Sequence, residues 1–325
     1  MSSLYRTIIK NSWDIIIKYK TFWLFGLFAA LLGNAAEYQA LFNQLDKVQN
    51  QPEMFQSMVS NFALYSQAWT ALWQLPAISI LTTLLSILLC LVIIIILAWL
   101  ATVSQITIIE SAAQAYKNKS VKIIQNCTNG IKFFWSAFGL NLLAKVINFV
   151  LFTLLISPLI ITMMAINNGW VTFTNIIATV IFVPFIIIIS FVTKYAVNYV
   201  VLEKQKMWTA FKNGWKLFTA NWLISLEMAL IVLVINIALA FILSFVAMYI
   251  ISPLIVAGLT SGSAATFYII TRVGMGLVAL LFFFAAAVFA AWQNTAWTLL
   301  FIKLNAGTAF PKIVRWIAAH LARKK

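Results

Sequence analysis

The sequence predicts an all-α, polytopic integral membrane helical bundle, and three observations carry that prediction. Apolar residues make up 63% of the 325-residue chain and charged residues only 9%, against roughly 45–50% and about 25% in soluble domains. Four stretches, 54–109, 146–193, 228–271 and 273–302, hold no charged residue, and one crossing needs about 20 apolar residues. The basic residues gather in four short clusters between apolar runs, as the positive-inside rule predicts for loops on one side of a membrane. Such a chain cannot cover its surface with polar groups, so part of its solvent must be lipid. Residues 1–325 therefore read as a single membrane domain.

Six spans follow, near 21–36, 77–104, 138–164, 171–194, 220–250 and 268–302. The first ends at Glu37. It also has the form of a signal-peptide apolar stretch, with Asn34-Ala35-Ala36 as a cleavage site, but the repeat described below includes it. The 48 residues of 146–193 demand two crossings. Asn167-Asn168-Gly169 supplies the reversal, because Asn and Gly tolerate left-handed conformations.

Between the first two spans, 37–75 forms an external segment. Phe55, Met58, Val59, Phe62, Trp69 and Trp73 recur there at helical spacing, with Glu53, Gln56, Ser60, Asn61, Gln67 and Gln74 opposite. An amphipathic helix on the outer membrane surface fits this pattern; a binding cap over a pore is the other reading. The C-terminal segment 309–323 repeats the theme, with Phe310, Ile313, Val314, Ile317 and Leu321 as its apolar stripe and Pro311 in its first turn. Lys312, Arg315, Arg323, Lys324 and Lys325 are placed to meet anionic headgroups.

All of the 22 Lys and Arg except Lys47, Lys145 and Arg272 fall before span 1, between spans 2 and 3, between spans 4 and 5, or after span 6. With an even number of spans, both termini are expected in the cytoplasm. The net charge of +15 is then a topology signal, and no nucleic-acid partner is expected. Asn118-Lys119-Ser120 and Asn126-Cys127-Thr128 match the glycosylation pattern but fall on the cytoplasmic side. Cys90 lies in an apolar run and Cys127 in a basic segment, so no disulfide framework is expected.

The chain also repeats itself. Asn129-Gly130-Ile131-Lys132-Phe133-Phe134 returns 84 residues later as Asn213-Gly214-Trp215-Lys216-Leu217-Phe218. Ile156-Ser157-Pro158-Leu159-Ile160 returns as Ile251-Ser252-Pro253-Leu254-Ile255. The stripe Trp208, Phe211, Trp215, Phe218 and Trp222 has counterparts in Ile124, Cys127, Ile131, Phe134 and Phe138, and in Ile9, Ser12, Ile16, Tyr19 and Trp23. Three units result, approximately 1–105, 119–202 and 203–305, each a basic amphipathic interfacial helix followed by a two-span hairpin. The hairpins run in the same sense, so the six transmembrane helices form three parallel hairpin repeats.

Catalytic machinery is scarce. The one histidine, His320, lies in the C-terminal segment, and the aspartates, Asp14 and Asp46, lie outside the spans. Histidine metal sites, a Ser–His protease and an intramembrane aspartyl dyad are thereby disfavoured. No Gly-rich phosphate loop occurs, and Gly274-Met275-Gly276 reads as close helix packing. No cofactor, metal or catalytic residue is expected.

Charges in or beside spans remain as site candidates, because a charge at a helix centre costs roughly 2.5–3.5 kcal/mol on insertion scales. Glu110 and Lys194 are 84 residues apart, and Lys145 and Glu227 nearly so. Opposite charges at related positions suggest two intramembrane polar pairs: either they fix helix register, or Glu110 and Lys194 reach the cytoplasmic interface, or Lys145 and Glu227 line a polar path. Arg272, near the outer end of span 6, can snorkel.

Ser12-Trp13 leading into Trp23-Leu24-Phe25-Gly26-Leu27, and Phe211-Lys212-Asn213-Gly214-Trp215 leading to Asn221-Trp222, give the chain a resemblance. It resembles a group of bacterial six-span proteins akin to the membrane domain of glycerophosphoryl diester phosphodiesterases. The resemblance implies a multi-pass protein of the bacterial cytoplasmic membrane. It does not imply phosphodiesterase activity, since that catalytic domain is absent, and it transfers no functional residue. The expected function is a non-enzymatic accessory or organising component of that membrane, with the bilayer, anionic headgroups and an unidentified membrane protein as partners. The alternative is a small transporter or channel with a polar site at the repeat interface.

Overall fold

Apolar runs become helices because, in lipid, each backbone polar group must be satisfied within its own segment. In the computed structural model the described residues are 4–32, 77–151, 153, 169–260 and 263–307, and they form helices and short connections, with no strand among them. The all-helical expectation holds. The helices are α1 (Leu4–Lys18), α2 (Thr21–Ala30), α3 (Ala77–Tyr116), α4 (Ile123–Lys132), α5 (Phe134–Leu151), α6 (Gly169–Leu202), α7 (Met207–Ala220), α8 (Trp222–Thr260) and α9 (Ala264–Asn305).

Five helical stretches among the described residues are long and apolar enough to cross a membrane: Leu81–Tyr116, Phe134–Leu151, Pro184–Leu202, Trp222–Thr260 and Ala265–Asn305. They correspond to expected spans 2 to 6. For span 1 the described part is α2, a ten-residue apolar helix closed by a turn at Leu31 and Leu32. The remainder of span 1, the external segment 37–75, the end of span 3 from 154 on, Asn167 and Asn168 of the expected reversal, and the C-terminal segment 309–323 lie outside the described residues. Gly169, the last residue of that expected reversal, opens α6.

The long helices exceed what a crossing requires. α3, α8 and α9 contain 40, 39 and 42 residues, about 60 Å each at 1.5 Å per residue, against a hydrocarbon core of about 30 Å. Each divides into two parts of different character. In α3, Leu81 to Leu97 expose Leu and Ile on every side, whereas Ala101 to Ala113 are almost wholly buried. In α9, Phe282, Phe283 and Phe284 are exposed, while Ala287, Ala291, Trp292 and Leu300 are buried.

The described residues group into two compact units, one drawn from 1–34, 101–137 and 194–325, the other from 35–100 and 138–193. In the first unit, α2 packs on α9 at Gly26. A Cβ there would collide with the Ala287 carbonyl oxygen and come within 2.9 Å of Ala291 Cβ, so glycine is what permits the contact. α4 packs on α3 in the same way, since a Cβ on Gly130 would lie 3.1 Å from both Val103 Cγ1 and the Val103 carbonyl oxygen. Of the expected glycine pair in α9, Gly274 packs tightly, with Leu254 Cδ1 2.7 Å from an added Cβ, whereas Gly276 has nothing within 4 Å among the described residues.

Candidate functional site

Polar chemistry in the first unit is concentrated where the buried ends of α3, α6 and α9 meet. Each helix brings side chains one turn apart: Gln105 and Ile109 from α3, Lys194 and Asn198 from α6, Gln293 and Trp297 from α9. Together with Asn294 they enclose a void of about 10 Å³, the size of a single water. The Lys194 ammonium lies 4.6 Å from the centroid of the Trp297 ring, close enough for cation–π attraction. Tyr195, the next residue, meets the same ring edge-on at 6.1 Å. Asn198 donates to the Lys194 carbonyl at 2.8 Å, while its side-chain oxygen is buried with no partner among the described residues.

Around this cluster the helices are joined by named hydrogen bonds. The Tyr195 and Ser225 hydroxyls, both buried, are 2.6 Å apart and link α6 to α8. Tyr199 donates to Asn305 Oδ1 at 3.0 Å, and Asn305 donates to Glu203 at 2.6 Å, which ties α6 to the end of α9. Tyr5 of α1 donates to Glu227 of α8.

α4 is fastened to α3 by amides. Asn126, fully buried, donates to Ser111 at 2.7 Å and accepts from Gln114 at 2.8 Å. Asn129 donates to Glu110 at 2.8 Å. Asn213 of α7 likewise donates to Gln205, at 2.9 Å. The recurring Asn-Gly pair thus has a physical reason: Asn reaches a polar acceptor ahead of its own helix, Glu110 within α3 in one case and Gln205 in the connection before α7 in the other, and the following Gly is buried in both.

The four charged residues singled out from the sequence fall in different surroundings. Glu110 is held by Asn129, Lys194 sits on Trp297, and Glu227 accepts from Tyr5. All three belong to the first unit; Lys145 belongs to the second, exposed on α5. Arg272 is exposed on α9. Sequence reasoning missed the amides Gln105, Asn198, Gln293 and Asn294. Their signal was a polar residue one turn from a second cluster residue within an apolar run, repeated on three helices.

No group of three or more His, Cys, Asp or Glu able to hold a metal occurs among the described residues. Neither a curated protein nor a solved structure matches the chain. The model of a family described as being of unknown function, DUF7544, matches residues 17–303. That match covers most of the chain, and so the protein, a helical membrane protein by its long apolar helices, belongs to the DUF7544 family of unknown function.

Proposed function

We propose that this chain is a non-enzymatic accessory or organising component of the bacterial cytoplasmic membrane, built as six spans in three related hairpins. The observation that carries the reading is the orientation of its short basic helices. On α7, Trp208 and Trp215 face outward, 62% and 48% exposed, while Ala210 and Gly214 face inward. On α4, Ile124 is 86% exposed, while Asn126 and Gly130 are buried. Trp135 and Trp222, at the starts of the helices that follow, are exposed as well. Tryptophan beside Lys212, Lys216 and Lys132 is the composition of a membrane–water interface.

In this reading the exposed apolar parts of the long helices cross the bilayer, and their buried parts stand on its basic, cytoplasmic side. The void around Lys194, the size of one water, supports an organising role over a solute path through that cluster.

Two native cysteines test the arrangement. Cys90 lies in the exposed apolar part of α3 and Cys127 on α4. A charged, membrane-impermeant maleimide should label Cys127 in inside-out vesicles but not in intact spheroplasts, and should label Cys90 in neither. Labelling of Cys127 from outside, or of Cys90 from water, would overturn the placement. The role itself is tested by crosslinking in native membranes followed by co-purification: a defined membrane-protein partner is expected. Its absence, together with solute flux in vesicles that Lys145→Met and Glu227→Gln abolish, would favour the transporter reading.

A further inference from the structure

A groove of about 440 Å³ opens between α1, α8 and α9, walled almost wholly by apolar side chains. Its volume falls in the range of small-ligand pockets, about 300–1,000 Å³. Ile9 and Trp13 form one wall, Leu239 and Leu243 a second, and Ala285 and Phe289 a third. Along α9 the lining extends from 281 to 292, a rise of about 16 Å. That is close to half of the roughly 30 Å hydrocarbon core, the depth filled by the acyl chains of one leaflet. The groove also lies where α9 passes from exposed Phe283 and Phe284 to buried Ala287 and Trp292, at the border of its lipid-like face.

The charge beside this groove is basic. Arg6 and Lys10 are exposed on α1, each three residues before a lining residue, Ile9 and Trp13 respectively. Residues three apart on a helix are surface neighbours, so two cations flank the mouth on that side. Asp14 on the same helix and Glu227 of α8, which accepts from Tyr5, are the acidic residues on this side; with Lys18 as a third exposed cation of α1, an excess of positive charge remains. Tryptophan at position 13, 46% exposed and lining the groove, is the side chain favoured at headgroup depth.

We propose that this groove binds one membrane phospholipid with an anionic headgroup. One acyl chain lies against Leu239, Leu243, Ala285 and Phe289, and the phosphate rests by Arg6 and Lys10. A fixed lipid at this position would fasten α1 to α8 and α9. The proposal does not depend on the organising role, since a transporter or an enzyme could carry the same structural lipid.

The test uses the full chain purified in a mild detergent, with phosphatidylglycerol and phosphatidylcholine of identical chains as probes. Retained phospholipid is counted by native mass spectrometry, and thermal unfolding is followed with each lipid added. The wild type should retain about one phosphatidylglycerol and be stabilised more by it than by phosphatidylcholine. Ala285→Phe fills the groove and should remove both effects, whereas Ala286→Phe, one residue along on an exposed position, should leave them unchanged. Lys10→Gln removes one of the two cations and should weaken the preference for the anionic lipid while leaving retention of phosphatidylcholine unchanged. Equal retention by wild type and Ala285→Phe would overturn the site. Equal stabilisation by the two lipids in the wild type, or an unaltered preference in Lys10→Gln, would overturn the assignment of the headgroup. Should Ala285→Phe fail to fold, Leu239→Trp narrows the same groove from α8 and carries the same expectation.

Discussion

Within α3 a single unbroken helix presents two different surfaces. From Leu81 to Leu97 its side chains are Leu, Ile, Val, Thr, Ser and Cys, exposed almost all round. From Ala101 to Ala113 it carries Thr102, Ser104, Gln105, Thr107 and Ser111, all of them buried. The more polar part is the part packed against protein. That inverts the rule for soluble helices, in which the apolar face turns inward. It is what a bilayer imposes: lipid tails solvate Leu as well as a protein core does, so helix association relies on small residues and on polar contacts. The close contacts at Gly26 and Gly130 and the amide links at Asn126 and Asn129 all lie in the first unit.

The comparison is broken most severely by filling a close contact. Gly26→Val places two methyl groups where the Ala287 carbonyl and Ala291 already sit. α2 can then keep its place on α9 only by a backbone shift, and the expected loss is about 3–5 kcal/mol. In detergent this should appear as aggregation or a strongly lowered unfolding temperature. A variant that unfolds like the wild type would show that the α2–α9 contact contributes little.

A matched pair of truncations then measures the two parts of α3 against one another. Ile106 is fully buried and Leu88 is 57% exposed. Ile106→Ala should cost about 2–4 kcal/mol through lost burial and a residual cavity. Leu88→Ala should stay within about 0.5 kcal/mol in detergent, as exposed sites generally do. Thermal unfolding of both variants in one detergent decides it; equal losses would mean that the exposed stretch has a protein partner.

How far this division can be read from sequence depends on which residues mark it. The long apolar runs, their helical state and the clustering of positive charge were legible, because hydropathy and Lys/Arg counts are local properties. The inward face of the short helices was less so. Trp208, Phe211, Trp215 and Ile124, Ile131 form the obvious stripes, yet Trp208, Trp215, Ile124 and Ile131 are exposed and the buried positions are Ala210, Gly214, Asn126 and Gly130. Only α1 turns part of its stripe inward, burying Ser12 and Ile16 beside Ile8 and Ile15. Amphipathic pattern identifies two faces, and whether lipid or protein takes the large apolar one is decided by context. At the candidate site, Glu110 and Lys194 drew notice through their charge. Gln105, Asn198 and Gln293 did not, since one amide barely changes the hydropathy of an apolar run.

Amide links give a finer test of the same inversion. Asn126→Leu removes the bonds to Ser111 and Gln114 and makes this buried position apolar. Were burial of apolar surface the organising force here, the substitution would stabilise. With polar links holding α4 to α3, it should cost about 1–3 kcal/mol, because Ser111 and Gln114 lose a buried partner. Thr128→Leu is a suitable control, its hydroxyl bonding only to the Ile124 carbonyl of its own helix among the described contacts; a loss near zero is expected.

Apart from the control substitutions, the smallest effect should come from a single hydroxyl. Tyr195→Phe keeps the ring that packs edge-on against Trp297 and deletes the oxygen 2.6 Å from Ser225. Ser225 would still donate to the Asn221 carbonyl at 3.0 Å, so it is not stranded. The expected cost is therefore about 1 kcal/mol, the net value of an ordinary buried hydrogen bond. The double variant Tyr195→Phe/Ser225→Ala discriminates further. If the two hydroxyls act as one link between α6 and α8, the second substitution should add much less to Tyr195→Phe than it costs alone, a coupling readable from a double-mutant cycle. Strict additivity would mean that each hydroxyl is stabilised by its own helix, as Ser225 is by Asn221, and that α6 and α8 are held by packing around Tyr195 instead.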